Sequence, residues 1–243
     1  MTSTSRLGRG PICLCRDRIP VEMLPELDEW TPKHFDDSLQ HPAVITASSL
    51  AVLNEGYNSD NDPNRLFIYT ASDIAGLVAW IDSPELRAAI ADGADREAQV
   101  LGVDGEPFTG NIYALDQPGQ IRRNSEGGQT WLAVERFEVP ADLDGEFDAW
   151  LRARLARIAA SSDVRSAFTW TQQRDVPRRF PYDRYISAGN RMLSVEFAVT
   201  AGRAQDAMIA DIDAALEEIG GWQARLPYYR RDIAEHMTTR PAS

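Results

Sequence analysis

Only one of the 25 basic side chains is a lysine, Lys33, and the chain has just two cysteines, Cys13 and Cys15, and three histidines, His34, His41 and His236. Each scarcity excludes something. Two cysteines at i and i+2 in an apolar run share one face of a strand and are badly placed to bridge each other. With no further cysteine and no adjacent histidine they make no zinc set, so they read as small buried strand residues of a reducing compartment. No apolar run approaches the roughly 20 residues that a membrane span needs. The opening "MTSTSRLGRGPICLC" lacks the basic-then-apolar layout of a secretory signal, and a cytoplasmic location is the expectation. Positive charge is also short. With 37 acidic side chains the net charge is -12, which argues against nucleic acid as a partner, because phosphate binding needs a basic footprint. The deficit sits in the first half: residues 1–120 hold 8 basic and 19 acidic side chains, residues 121–243 hold 17 and 18. There is no glycine-rich phosphate loop after a strand, no nucleophile elbow and no histidine-rich metal spacing. A haem would need an axial ligand, for which His34 alone is conceivable. Neither a metal nor a cofactor is expected.

What is present is an order of elements that occurs twice. "GPICLCRDRI" reads as a strand, "VEMLPELDEW" with "PKHFDDSLQ" as a helical region, and "AVITASSLAVL" and "RLFIYTA" as strands. The stretch "SDIAGLVAWIDSPELRAAIADG" is helical, with Ser72 capping its start and Ser83-Pro84 opening a second piece. "FTGNIYAL" closes the first half as a strand. The second half repeats this order: strand "WLAVERFEV", helix "LDGEFDAWLRARLARIAA", strands "DVRSAFTWTQ" and "RMLSVEFAV", helix "AQDAMIADIDAALEEIG", and a last strand "WQARLPYYR". Aligning "LDEW" with "FDAW" places Trp30 on Trp150, an offset of 120. The expected organisation is a first half at 10–118, a linker of turn-forming composition at 119–130, and a second half at 131–236.

A βαββαβ unit is the ferredoxin-like motif, and two of them packed sheet to sheet give the pseudo-dimeric α+β barrel that is the expected fold class. The first half resembles the dimeric α+β barrel superfamily, with its EthD-like and antibiotic-monooxygenase-like members. The likeness lies in a Trp followed four residues later by His (Trp30, His34), then "HPAV" leading into the second strand. The resemblance implies a small-molecule enzyme, since the superfamily hosts cyclases, isomerases, lyases and monooxygenases.

Pro32 lacks the N–H of a helical hydrogen bond and biases Thr31 away from helical geometry. Thr31 then reads as the N-cap of a new short helix with His34 in its first turn, where the helix dipole keeps an imidazole neutral and basic. In the second half Arg154 takes the place of His34, and the helix has no break. The alternative is that His34 is a partly exposed helix residue beside Asp36 and Asp37. His41, before Pro42, reads as a structural turn residue, and His236 falls in a frayed tail.

Strand alternation separates helix-packed side chains from those on the opposite face. Leu193, Val195, Phe197 and Val199 form one helix-packed set, which leaves Glu196 on the opposite face, where desolvation would raise its pKa and suit it to proton transfer. The same reading puts Leu66 and Ile68 under helices and turns Phe67 and Tyr69 to the opposite face. Asn111 and Tyr113 share a face, as do Phe168 and Trp170. For the aromatics the alternative is core filling, and for Glu196 a salt bridge to Arg136. The segment "QQRDVPRRFPYDRYISAGNR" carries five arginines with aromatics, a composition suited to a planar anionic ligand but also to a solvated surface loop.

The expected function is a cofactor-independent enzyme performing proton transfer (isomerisation, elimination or cyclisation) on a small aromatic or polyketide-like molecule, with a carboxylate as one option. Its expected catalytic residues are His34 as base, Glu196 as partner acid or base, and Tyr69 or Tyr113 at an enolate-like oxygen. Trp30, Phe67, Asn111, Trp170, Tyr182, Arg184 and Tyr185 are the expected substrate-binding residues. A cofactor-free monooxygenase and a non-catalytic binding or partner protein are the alternatives. A small-molecule substrate is the expected partner, a homodimer is left open, and nucleic acid and membrane are not expected.

Overall fold

A computed structural model describes residue 7 and residues 10–53, 63–89, 111–116, 121–122, 129–176, 188–216 and 219–242. The expected Tyr182, Arg184 and Tyr185 lie outside these described residues. The chain divides into two compact units. An N-terminal unit is formed around Arg9–Ala114 and takes in His236–Ser243; a C-terminal unit is formed by Leu115–Gln172 and Ala188–Glu235 with the first residues of the chain.

In the N-terminal unit the order is β1 (Ile12–Asp17), α1 (Leu24–Ser38), β2 (Val44–Val52), β3 (Arg65–Ala71), α2 (Ile74–Ile81) and β4 (Asn111–Leu115). The strands lie in the order β4-β1-β3-β2, and the end of β9 (Tyr228–Pro241) runs beside β2. Neighbouring pairs among β1 to β4 are antiparallel. Helix α1 is continuous through Pro32, so the expected break is absent. Thr31 is not a cap: its hydroxyl donates to the Leu27 carbonyl at 2.7 Å, one turn back. Proline costs a helix interior about 3 kcal/mol. What outweighs this is the stripe Thr31, His34, Phe35 and Ser38, all buried, together with half-buried Leu27. Phe35 and Leu27 are its apolar members, and full burial of such a side chain is worth about 1.5–3 kcal/mol. The cap of α2 is Asp73 rather than Ser72, its carboxylate accepting from Gly76 N at 2.7 Å. Ser83 caps the helical residues that follow, accepting from Leu86 N at 3.1 Å. The two cysteines are buried, unbridged and on one face, with sulphurs 3.9 Å apart.

In the C-terminal unit the order is β5 (Ile121–Arg122), β6 (Thr130–Glu138), α3 (Asp144–Ala160), β7 (Val164–Gln172), β8 (Arg191–Ala198), α4 (Gln205–Leu216) and the first part of β9. The strand order is β9-β6-β8-β7-β5, again with antiparallel pairs. Residues 121–122, placed in the linker by composition, pair with β7. The last strand runs to Pro241, so His236 is a strand residue and not part of a frayed tail.

The two units repeat each other in detail. Pro20 and Pro140 each precede a 3-10 turn, Val21–Met23 and Ala141–Leu143. Asn64 clamps the Ile19 backbone through both its amide groups, at 2.9 and 2.7 Å; Asn190 clamps Val139 in the same way, at 2.8 and 2.8 Å. The next residue ties the strand to the helix in each case, Arg65 to Asp28 at 3.0 Å and Arg191 to Asp148 at 3.7 Å. Even the register shift recurs, between Val44 and Thr46 and between Val164 and Ser166.

Candidate functional site

His34 and Tyr69 do meet. His34 Nε2 lies 2.9 Å from the Tyr69 hydroxyl, and Trp30 packs on the imidazole with ring centroids 4.4 Å apart. Their setting is the layer between helix and sheet. Tyr69 and Phe67 belong to the core cluster that holds Phe35, Leu77 and Trp80 of the helices, so both face the helices and not the opposite side. The expected orientation is therefore corrected. Every residue of β3 is buried, so both faces are apolar, and alternation shows which side chains go together without showing which side the helices cover. In the other unit the same position is filled by Arg154, whose guanidinium packs over Trp150 at 5.2 Å and pairs with buried Glu135. The place four residues after this tryptophan thus holds a buried polar side chain with a partner in both repeats. A haem iron does not fit His34 either: the ring is 4 % exposed and its Nε2 is taken up by Tyr69.

Tyr69→Phe should therefore cost about 1–2 kcal/mol, the worth of a buried hydrogen bond whose partner is left behind. In a urea titration the midpoint should fall with an unchanged slope. Reduced turnover at unchanged stability would instead give Tyr69 a chemical role.

Asn111 and Tyr113, both fully buried, pair with Leu14 and Ile12 and lie on the opposite face of the same sheet. The thickness of the sheet separates them from His34 and Tyr69. Four of the expected residues thus split between two faces of one sheet, Phe67 and Tyr69 on one and Asn111 and Tyr113 on the other, and Trp30 and His34 sit on the helix above.

On the C-terminal unit the strand register builds a different set. Leu132 pairs with Glu196, Val134 with Ser194 and Arg136 with Met192. On the far side Glu196 pairs with Ser166, Ser194 with Phe168 and Met192 with Trp170. Strand β9 adds Asp232 opposite Val134 and Arg230 opposite Arg136. All these side chains share the face turned away from the helices, as expected for Glu196, and Phe168 and Trp170 stand together on it. Glu196 is 4 % exposed, and among the described residues its one hydrogen-bond partner is the Ser166 hydroxyl, which donates to Oε2. The expected alternative, a salt bridge to Arg136, is not formed; Arg136 donates to the Tyr228 hydroxyl and to the Ala188 carbonyl. Trp170 Nε1 donates to Ser194 Oγ at 2.8 Å, and Arg230 Nε to Asp232 at 2.6 Å.

The repeat exposes an asymmetry. The position of Glu196 is held by Thr70 in the N-terminal unit, where it faces Thr46 as Glu196 faces Ser166. The position of Asp232 is held by Asn111. One face is neutral at these two positions, and the other carries two buried carboxylates. Sequence reasoning missed Ser166, Ser194, Arg230 and Asp232. The alternation in "YYRRD" carried a signal, because Arg230 and Asp232 are two apart and share a face. Among the described residues no three His, Cys, Asp or Glu side chains cluster as a metal would require, and no described helix is long and apolar enough to cross a membrane.

No family model and no curated protein matches the chain. Solved structures do. An anthrone oxidase-like protein is 12% identical, with 98% of this chain and 95% of that one covered and a TM-score of 0.63. A candidate monooxygenase from Fusobacterium nucleatum is 7% identical, over 97% and 95% of the two chains, with a TM-score of 0.61. A chlorite dismutase variant from Candidatus Nitrospira defluvii, in complex with cyanide, is 7% identical over 95% and 91%, with a TM-score of 0.54. At such identities the likeness is one of fold: over nearly its whole length the chain has the α+β fold of these proteins.

Proposed function

We propose that this protein is an enzyme that moves a proton on a small aromatic or polyketide-like molecule, in an isomerisation, elimination or cyclisation, with Glu196 as the acid–base group and no cofactor. The proposed architecture is a pseudo-dimeric α+β barrel of two ferredoxin-like halves, at 10–118 and 131–236, and the duplicated asparagine clamps support it. The observation that carries the function is that buried Glu196 has, among the described residues, a single hydrogen-bond partner, the Ser166 hydroxyl. A buried carboxylate held by one neutral hydroxyl costs stability that an ion pair or an apolar residue would not, and such local costs concentrate where chemistry needs the group. The repeat has an uncharged residue, Thr70, at the same place.

In this reading the Glu196 carboxylate takes a proton from a carbon next to a carbonyl. The electron pair of the C–H bond moves into the enolate, and the proton returns to another atom of the substrate or leaves with a departing group. Ser194 is two residues along the same strand face, about 7 Å away. Its oxygen accepts from Trp170 Nε1, so its own O–H is free to be aimed at the enolate oxygen. The catalytic base thereby moves from His34 to Glu196.

The direct test is exchange. Wild-type protein in D2O should place deuterium next to the carbonyl of anthrones and small aryl ketones, followed by NMR. No exchange across such a panel would sink the reading. Oxygen chemistry is the second reading, because proteins of this fold carry monooxygenase and anthrone oxidase names; oxygen uptake matching product would select it. Saturable binding with neither exchange nor uptake would select a binding protein.

A further inference from the structure

On the face that carries Glu196, one buried side chain keeps a proton that it gives to no protein acceptor. Ser194 is 2% exposed, and among the described residues its one hydrogen bond is that from Trp170 Nε1 to its Oγ, at 2.8 Å. In that bond the serine accepts. Buried hydroxyls ordinarily find partners for what they can donate as well. We infer that Trp170 is a positioning residue: its indole N–H turns the Ser194 hydroxyl so that the O–H meets the enolate oxygen of the substrate. This rests on the proton-transfer reading, in which Ser194 is that donor, and adds what aims it.

The strand register supplies the direction. Ser194 stands opposite Phe168, and Trp170 stands opposite Met192. On this face of β8 the neighbours of Ser194 are Met192 on one side and Glu196 on the other. The indole N–H therefore reaches Ser194 from the side away from Glu196. A hydroxyl that accepts from one side holds its own proton out of that direction, because proton and lone pairs are spread around the oxygen. What remains is the Glu196 end of the face. The gap of about 7 Å between residues two apart on a strand has room for the C–C–O unit of an enolate between carboxylate and hydroxyl. The other repeat holds Leu50 and Ile68 at the positions of Trp170 and Ser194, and both are buried and apolar. Packing alone is met there without an indole or a hydroxyl, and the hydrogen-bonded pair belongs to the unit that carries Glu196.

The probe is α-tetralone, an aryl ketone with an enolisable carbon, and the readout is deuterium incorporation in D2O, resolved into kcat and KM. Ser194→Ala should lower kcat by about 10²–10³-fold, the scale for losing one oxyanion donor. Trp170→Phe keeps the hydroxyl and removes its guide. In the folded protein its kcat should fall about tenfold or more, on a scale where a misplaced group costs up to about 10²-fold, with KM unchanged. The decisive comparison joins the two. In the Ser194→Ala background, Trp170→Phe should slow exchange by less than about twofold, because residues that act as one unit are not additive. Should Trp170→Phe not fold, Trp170→benzothienylalanine keeps the ring size and removes only the N–H, and the same losses are expected. Exchange at the wild-type rate in the folded variant, a raised KM in place of a lowered kcat, or the same loss in both backgrounds would overturn the inference. Where Glu196→Gln stops exchange and Trp170→Phe does not, this inference falls alone and the proposed function stands. No exchange by the wild type, or full exchange by Glu196→Gln, removes the proposed function and this inference with it.

Discussion

Glu196→Gln is expected to slow turnover by at least about 10²-fold, the usual scale for removing a general acid–base group, while the folded protein becomes no less stable. The substitution keeps the shape of the side chain. The Ser166 hydroxyl, which now donates to the carboxylate, still finds an oxygen on the amide. What disappears is a buried negative charge that has no ionic partner among the described residues, and its loss removes a desolvation cost without opening a cavity. The two readouts therefore move independently, activity down and melting temperature level or up. That is the signature of a residue kept for chemistry at the expense of stability. A structural Glu196 would show the opposite pattern, with a lower melting temperature and turnover changed only through the unfolded fraction. Exchange rate and thermal melting on the same preparation decide between them, and wild-type exchange in a well-folded Glu196→Gln protein would end the idea.

The second large effect is on stability. Glu135→Ala should destabilise the protein by about 3–5 kcal/mol, the cost of removing one partner from a buried ion pair. Glu135 is fully buried and accepts from Arg154, from Arg231 at 2.9 and 3.0 Å, and from the Tyr229 hydroxyl at 2.6 Å. Its removal leaves two buried guanidiniums with fewer acceptors. Arg154 keeps the Leu216 carbonyl and Arg231 keeps Asp213. The Tyr229 hydroxyl stays protonated well above the ordinary tyrosine range, held there by burial and by the adjacent Glu135 carboxylate, so it donates to the carboxylate at any working pH. The second substitution of the test is Glu135→Ala with Arg154→Met. Replacing charge and countercharge together should recover much of the loss. Denaturant unfolding of both variants measures this, and a single variant within about 1 kcal/mol of the wild type would mean that solvent reaches the network.

The contrast between the repeats separates these roles. Trp30 with His34 and Trp150 with Arg154 occupy matching places, and each is tied to a buried partner under a helix. Thr70 and Glu196 also match, but only Glu196 brings a carboxylate to the buried position. Asymmetry around a histidine attracts notice in a sequence, because histidine is rare and chemically versatile. The asymmetry between Thr70 and Glu196 becomes visible only once the strands are in register.

By itself the sequence determined the doubled order of strands and helices, the offset that lays Trp30 on Trp150, the shared face of Cys13 and Cys15, and the side of β8 on which Glu196 stands. These are local or periodic properties, carried by turn residues, hydrophobic runs and spacing. The repeat could have been read more deeply still: "NR" precedes both "LFIYTA" and "MLSVEFAV", and those two residues form the asparagine clamp and the arginine tie in each unit. Their offset of 126 rather than 120 hid them. Only the tertiary structure decided the rest. Whether Tyr69 looks toward the helices depended on which side of a wholly buried strand they cover, and such a strand is apolar on both sides. Pro32 stays within one helix because burial of the stripe around it outweighs a local penalty. Glu196, Ser166, Ser194, Asp232 and Arg230 come to one face through the pairing of four strands, and no spacing along the chain encodes a register between segments that meet only when folded.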